Sequence, residues 1–160
     1  MLAIIGCGNP NRCDDGVGPA VIRALRGRGA GADPASVRLL DAGTDGMATM
    51  FGAKGCQSLI VIDACRSGSA PGAIFEAPGA EFEAGYSPTL NLHDFRWENA
   101  LYAGRAMFRD AFPTDVTVLL IEAASIDFGV ELSAAVSAAA EKVAARIEAL
   151  IEARLGVRGP

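Results

Sequence analysis

Short apolar runs alternate with helical patterns along the chain and predict an α/β fold. The runs are continuous, which is typical of strands buried on both faces of a sheet. They cover residues 2–6, 37–41, 58–64 and 116–123, and a weaker run at 72–77 predicts a short edge strand. Because helical patterns lie between these runs, we expect a mostly parallel, twisted sheet of about five strands with helices on both faces.

Apolar residues at helical spacing predict where the helices lie. The stripes consist of Val17, Ala20, Val21, Ala24 and Leu25, then Trp97, Leu101, Gly104 and Phe108, and finally Leu132, Val136, Val143, Ile147 and Leu150. A further short helix is expected at 45–53. Asp14 or Asp15 is placed to cap the first helix, and Ser133 is placed to cap the last.

The alternation predicts a single domain over residues 1–155 and a frayed tail at 156–160. Residues 77–91 interrupt it, because "APGAEFEAGYSPTLN" combines proline, glycine and acidic residues without any period. A stretch of this length without periodicity inside one domain is usually functional or mobile.

Composition narrows the possible partners and the compartment. The chain has 160 residues, 51% of them hydrophobic, and a formal net charge of −5, which argues against nucleic acid or an anionic membrane as partner. Neither a membrane-spanning run nor a signal peptide is evident, so we expect a cytoplasmic protein. Its four cysteines show no CxxC spacing. Cys7 and Cys13 could share a metal, but structural zinc sites use tighter pairs, so free thiols are expected.

Acidic residues follow the predicted strands at the point where each one ends. Asp14 and Asp15 come after the first strand, Asp41 closes the second, Asp63 the third, and Glu122 the last. Ligand sites of open α/β sheets lie at this carboxyl edge. Two carboxylates about 4 Å apart repel by roughly 4 kcal/mol at an effective dielectric near 20. Such a cluster therefore favours a cation or a shared proton.

The single histidine of the chain, His93, lies at the end of the irregular segment and four residues before Trp97. A lone histidine on an apolar stripe is usually a partly buried structural residue. Its position next to a helix start, however, would face it toward the carboxyl edge of the sheet. Carboxylates and one imidazole with open coordination positions suit zinc or nickel.

Other functions fit this pattern less well. "GCGNPN" carries the first two glycines of a dinucleotide fingerprint, but Asn11 replaces the third and the two aspartates would repel a pyrophosphate. A phospho-acceptor receiver domain would use Asp14, Asp15 and Asp63, yet Glu122 stands near where receivers carry a lysine. This regulatory reading stays open as an alternative. Nothing supports a nucleophilic serine or cysteine.

Five motifs in order along the chain resemble the hydrogenase maturation proteases, the endopeptidases that trim the large subunit of NiFe hydrogenases. The motifs are "GCGNPNRCDDGVG" (6–18), "DAGTDG" (41–46), "IVIDACRSGSAPG" (60–72), "NLHDF" (91–95) and "IEAASIDFGVELS" (121–133). The resemblance extends from the first strand to the last helix.

The resemblance implies a site and a substrate. The nickel-contacting residues of the family fall on Asp15, Asp63 and His93, and Asp41 matches a further acid of the pattern. The implied reaction removes a C-terminal extension from a large-subunit precursor that already holds nickel, so the nickel arrives with the substrate and no organic cofactor is expected. Some family members carry glutamate where Asp15 stands, and the shorter aspartate changes the reach toward the metal.

Overall fold

A five-stranded sheet forms the centre of the part of the chain that the computed structural model describes, residues 1–83 and 95–156. Its strand order is β2-β1-β3-β5-β4. The strands are β1 (Leu2–Cys7), β2 (Val37–Gly43), β3 (Ser58–Cys65), β4 (Ile74–Pro78) and β5 (Asp115–Glu122). Neighbouring strands are parallel except β4, which pairs antiparallel with β5 at one edge. The predicted mostly parallel sheet and its short edge strand are thus confirmed.

Helices cover both faces of the sheet. They are α1 (Val17–Gly27), α2 (Gly46–Ala53), α3 (Ala80–Glu83), α4 (Trp97–Phe108) and α5 (Ala134–Leu155). Helices α1 and α5 pack on one face, whereas α2 and α4 pack on the other. Among the described residues, no helix combines the length and the apolar composition needed to cross a membrane.

The apolar runs are continuous because each strand serves two cores. Leu2 and Ile4 of β1 contribute to the core beneath α1 and α5, while Ala3 and Ile5 contribute to the core beneath α2 and α4. All four are at most 1% exposed. Alternate residues of a strand point to opposite faces, so a sheet covered on both sides needs apolar residues at every position.

One of the two predicted helix caps is confirmed and the other is wrong. Ser133 caps α5 as predicted, since its Oγ accepts the Val136 N–H at 3.5 Å. Asp45 caps α2 by accepting two backbone N–H groups. The prediction that Asp14 or Asp15 caps α1 is wrong, because Gly16 is the N-cap and offers no side chain. The two aspartates lie in a short 3-10 turn, Cys13–Gly16, that precedes α1, so neither occupies the cap position.

Close packing between α1 and the sheet fixes where this turn lies. A Cβ on Gly18 would come within 2.2 Å of the Cys7 carbonyl oxygen and within 2.6 Å of the Ile62 carbonyl oxygen. Atoms cannot approach that closely, so only glycine lets α1 begin directly against β1 and β3. The start of α1 is thereby held at the carboxyl edge of the sheet.

The irregular segment is described only in part. Within 77–91, β4 ends at Pro78 and α3 forms one helical turn, which the sequence pattern did not predict; residues 84–94 lie outside the described residues. At the other end, α5 is followed by Gly156 in a left-handed conformation, with φ of 63°. Residues 157–160 are also outside the described part, so the frayed tail stays a prediction.

Candidate active site at the carboxyl edge of the sheet

Asp63 is the buried acid of the site. It lies near the end of β3 and is 3% exposed. Its Oδ2 accepts a hydrogen bond from the Trp97 indole Nε1 at 2.8 Å, and its Oδ1 accepts one from the Ala64 N–H at 2.8 Å. The Arg96 guanidinium is 4.0 Å from Oδ2. The carboxylate is therefore oriented by donors from its own strand and from the start of α4.

Burial raises the pKa of Asp63 to about 6. The donors from Trp97 and Ala64 and the positive charge of Arg96 oppose this shift, while the charge of Asp15 adds to it. Desolvation disfavours the charged form of a carboxyl group, which explains the direction. A carboxyl group that titrates near neutral pH can both accept and release a proton during a reaction.

Asp15 faces the same space from the 3-10 turn before α1. It is half-buried, and its Oδ2 accepts the Asn9 N–H at 2.8 Å. Gly8 lies between the two acids: with φ of 118°, a Cβ there would stand 1.9 Å from the Asp15 carbonyl oxygen and 3.2 Å from Asp63 Oδ1. The glycine thus permits the loop after β1 to bring Asp15 beside Asp63.

A cavity of about 450 Å³ contains both acids. Its walls come from the loop after β1, the end of β3, the start of α4 and the loop after β5, and they include Arg12, Asp15, Asp63, Trp97, Glu98 and Ile126. A second cavity of about 210 Å³ shares Asp63, Arg96 and Trp97 with the first. Asp63 therefore stands between two adjoining spaces at the carboxyl edge.

Two other acids at this edge have structural roles. Asp14 is fully buried and accepts hydrogen bonds from the backbone of Ala124, Ser125 and Ser133. Burial pushes its pKa upward, but these bonds outweigh that effect and the pKa lies below its ordinary value. Glu122 binds the Ser67 and Gly68 N–H groups, and these bonds lower its pKa to about 2. Both carboxylates hold loops around the cavity.

Asp41 and His93 are not brought to the cavity by described contacts. Asp41 is exposed, its Oδ1 accepts the Gly43 N–H at 3.0 Å, and it lines neither cavity. His93 lies outside the described residues. The first residues described after it do reach the site: Gly46 donates its N–H to the Phe95 carbonyl at 3.1 Å, and Arg96 lines both cavities.

The cysteines are free thiols, as expected. Cys7 is buried beside Thr49, and burial raises its thiol pKa well above the usual range. Cys13 has φ of 43°, and its Sγ lies 2.7 Å from where a Cβ on Gly129 would stand. It therefore fills the space beside that glycine. No group of three or more potential metal ligands occurs among residues 1–83 and 95–156.

Sequence reasoning missed several residues that build the site. Trp97 was assigned only to an apolar stripe, yet its indole N–H binds Asp63. Arg12, Arg96 and Glu98 also line the cavity, and Arg12 was not singled out although it lies within the first motif. These residues lie close in sequence to the acids or to His93. That closeness does not show whether a side chain points into the cavity.

Known proteins share both the fold and the sequence pattern. Residues 19–150 match the HycI family model, which describes hydrogenase maturation proteases. The hydrogenase expression/formation protein HupM of Azotobacter chroococcum mcd 1 is 29% identical over 137 residues, which cover 84% of this chain and 64% of HupM. The match thus spans slightly less than two thirds of that relative.

Solved structures share the fold. The hydrogenase maturating endopeptidase HybD from E. coli superposes with a TM-score of 0.77 at 23% identity, covering 96% of this chain and 93% of HybD. The NiFe hydrogenase maturation protease HybD from Thermococcus kodakarensis superposes with a TM-score of 0.75 at 24% identity, covering 94% of this chain and 99% of that HybD.

The fold and the paired acids define an α/β protein with a carboxylate-lined cavity at the carboxyl edge of a mostly parallel sheet. With the match over residues 19–150, the chain belongs to the hydrogenase maturation protease family. This confirms the family inferred from the motifs. The same match disfavours the receiver alternative.

Proposed function

We propose that this protein is a cytoplasmic endopeptidase that removes the C-terminal extension of a NiFe hydrogenase large-subunit precursor after nickel insertion. The observation that carries the proposal is the convergence of Asp15 and Asp63 on one cavity. These are two of the three positions at which the family motif implies nickel contacts. The membership of the chain in the maturation protease family supports the same function.

In this proposal nickel belongs to the substrate. Asp15, Asp63 and His93 contact it when the precursor binds, and the precursor supplies the remaining ligands. Carboxylate and imidazole groups are suitable ligands for nickel. Recognition of a metal already inserted would make cleavage conditional on a complete metal centre. Asp41 is exposed, so its part in this proposal is contact with the bound precursor outside the cavity.

The acids of the cavity also supply proton transfer, as in an aspartic-type peptidase. An ionised carboxylate takes a proton from the water that attacks the scissile carbonyl carbon. It then gives that proton to the leaving amine nitrogen as the C–N bond breaks. Asp63 suits this cycle because its pKa of about 6 lies near neutral pH.

The direct test compares nickel-loaded and nickel-free forms of a large-subunit precursor from the same organism, read as intact masses. We expect loss of a C-terminal peptide from the loaded form alone. Cleavage of both forms at the same rate would refute nickel recognition. If neither form of a precursor that is known to be a substrate for processing is cleaved, the endopeptidase function is refuted and the regulatory alternative is favoured.

Matched variants assign the roles of the residues. Asp15→Asn, Asp63→Asn and His93→Ala should each abolish processing while the protein stays folded. Asp110→Asn is the control, since Asp110 is an exposed acid in the turn before β5, at the opposite edge of the sheet. Full activity of any of the three site variants would remove that residue from the proposed mechanism.

A further inference from the structure

Three arginines line the cavity that contains Asp15 and Asp63. They are Arg12 from the loop after β1, Arg66 directly after β3, and Arg96 directly before α4. The function proposed above uses acids and a histidine and assigns these guanidinium groups no role. Their charge is opposite to that of the acids, so they require a separate explanation.

Two of the three guanidinium groups at the cavity form no ion pair within the described residues, and the third, that of Arg96, has one long contact with Asp63. Arg66 is exposed and forms no ion pair there, and Arg96 has a side chain 63% exposed, with its nearest carboxylate oxygen 4.0 Å away. Arg12 makes a hydrogen bond to the Ile126 carbonyl at 3.3 Å and no ion pair in the described chain. Elsewhere in the described chain the arginines divide evenly. Four of them form ion pairs with carboxylates, namely Arg28, Arg105, Arg146 and Arg154, and four form none, namely Arg23, Arg26, Arg38 and Arg109.

The side chain of one arginine is held by a neighbour, and the backbone of another is fixed. The Arg12 guanidinium lies over the Phe128 ring at 4.6 Å from its centroid, which restricts the side chain. Arg66 is followed by Ser67 and Gly68, whose N–H groups are bound to Glu122. The backbone on both sides of Arg66 is therefore fixed, by β3 on one side and by this anchored loop on the other.

Charge is separated within the cavity. Asp63 is 3% exposed and lies at the inner wall, whereas Arg66 and Arg96 are exposed and lie at the open side. The protein as a whole carries a net charge of −5, so an accessible group of arginines does not follow from its composition. A ligand that fills the cavity would meet acids inside and guanidinium groups at the entrance.

We propose that Arg12, Arg66 and Arg96 form a carboxylate-binding subsite for the polypeptide that is cleaved. Guanidinium groups bind carboxylates through paired, charge-assisted hydrogen bonds, which also fix orientation. The inference rests on the proposed endopeptidase function. The substrate class is accordingly a chain that carries carboxylates beside its scissile bond, supplied either by aspartate and glutamate side chains or by a nearby chain terminus.

Binding is tested without relying on cleavage. Trp97 is the one tryptophan of the chain and lines the cavity, so its indole N–H signal in a proton–nitrogen NMR spectrum reports on ligands there. The probes are tetraglutamate blocked at both ends, acetyl-tetraalanine with a free terminal carboxylate, and blocked tetralysine. We expect a saturable shift with one or both carboxylate probes and none with tetralysine.

The variant Arg66→Met should weaken the affinity for the responding probe about tenfold, as loss of one charge-assisted contact predicts. Arg66→Lys should restore part of it. Arg23→Met is the control, because Arg23 is an exposed arginine on α1 and lines neither cavity. A response to blocked tetraglutamate assigns the subsite to acidic side chains, and a response to acetyl-tetraalanine alone assigns it to a terminus. The absence of any response, or equal affinity in Arg66→Met, overturns the inference.

Kinetics on the nickel-loaded precursor then link the subsite to the reaction. Arg66→Met should raise KM about tenfold with little change in kcat, and neutralising the precursor's acidic residues beside the cleavage point should remove that difference. If the wild type cleaves and KM does not change, the subsite is wrong while the endopeptidase function stands. If the wild type cleaves neither precursor form but binds the carboxylate probes, the endopeptidase function fails while the subsite stands.

Discussion

Replacing Asp14 with alanine should show that the two adjacent aspartates do different work. Asp14 accepts the N–H groups of Ala124, Ser125 and Ser133 at 2.8, 3.2 and 2.6 Å, and the Ser133 hydroxyl at 3.0 Å. Alanine would leave these partly buried donors without their acceptor, at about 1–3 kcal/mol for each group that water does not reach. Allowing for partial rearrangement, we expect a loss of about 3–5 kcal/mol in the free energy of unfolding.

Thermal and urea denaturation measure this loss. At about 2–4 °C per kcal/mol for a chain of this size, Asp14→Ala should lower Tm by about 6–20 °C. The matched variant is Asp15→Asn, which affects a half-buried group with one backbone donor, Asn9 N–H at 2.8 Å. It should shift Tm by no more than about 3 °C and abolish processing. A Tm for Asp14→Ala within 2 °C of the wild type, measured at about 0.5 °C precision, would refute the reasoning.

The same pair predicts a difference in acid stability. The folded-state pKa of Asp14 lies below its ordinary value of 3.8. Its ionised form therefore stabilises the fold above the unfolded pKa, and that contribution is lost as the pH falls through the folded-state pKa. Asp14→Ala should show a weaker decline in stability below about pH 4 than the wild type does. The same decline in stability below about pH 4 in Asp14→Ala and in the wild type would contradict the lowered pKa of Asp14.

Three further outcomes are expected. Trp97→Phe removes the hydrogen-bond donor to Asp63 and should raise the pKa of that carboxyl group further. The acid limb of the pH–rate profile for processing should then move upward by about one pH unit. An unmoved acid limb would exclude Asp63 as the titrating group. Gly18→Ala should destabilise the fold by more than about 3 kcal/mol, because the added Cβ would meet backbone atoms. Gly27→Ala, whose Cβ would have nothing within 4 Å, should stabilise the fold by about 0.5 kcal/mol. Similar urea midpoints for the two variants would contradict this prediction. Burial and the neighbouring Glu122 raise the Cys65 thiol pKa to about 12, so iodoacetamide should modify Cys65 much more slowly than a free cysteine at pH 8, as mass spectrometry can measure.

The architecture could be predicted from the sequence because two-sided burial leaves a strong local pattern. Strand β1 is apolar from Leu2 to Ile5 and strand β3 from Leu59 to Ile62, and that pattern depends little on distant contacts. The carboxyl edge then follows from the order of strands and helices, which places the acids after β1 and β3 together. Convergence of Asp15 and Asp63 on one cavity could be anticipated on this basis.

The direction of individual side chains could not be predicted. Asp14 and Asp15 are adjacent and chemically identical, and both precede α1, so local rules assigned them a capping role. The choice between them is made by Ala124 and Ser133, more than a hundred residues away, whose N–H groups capture Asp14. Trp97 likewise appeared only as an apolar residue, because its polar edge becomes important once β3 and α4 are packed together.

The contact between Asp14 and Ser133 has a consequence for how the protein is made. It joins residues 119 positions apart, so the turn that carries Asp15 is tied to the residue that starts the last helix. Contacts over such sequence distances form late, because a long loop must close first. A chain emerging from the ribosome would therefore hold an incomplete site until α5 has been synthesised and docked. The arrangement of Asp15 beside Asp63 is thus expected to form only after α5 has docked.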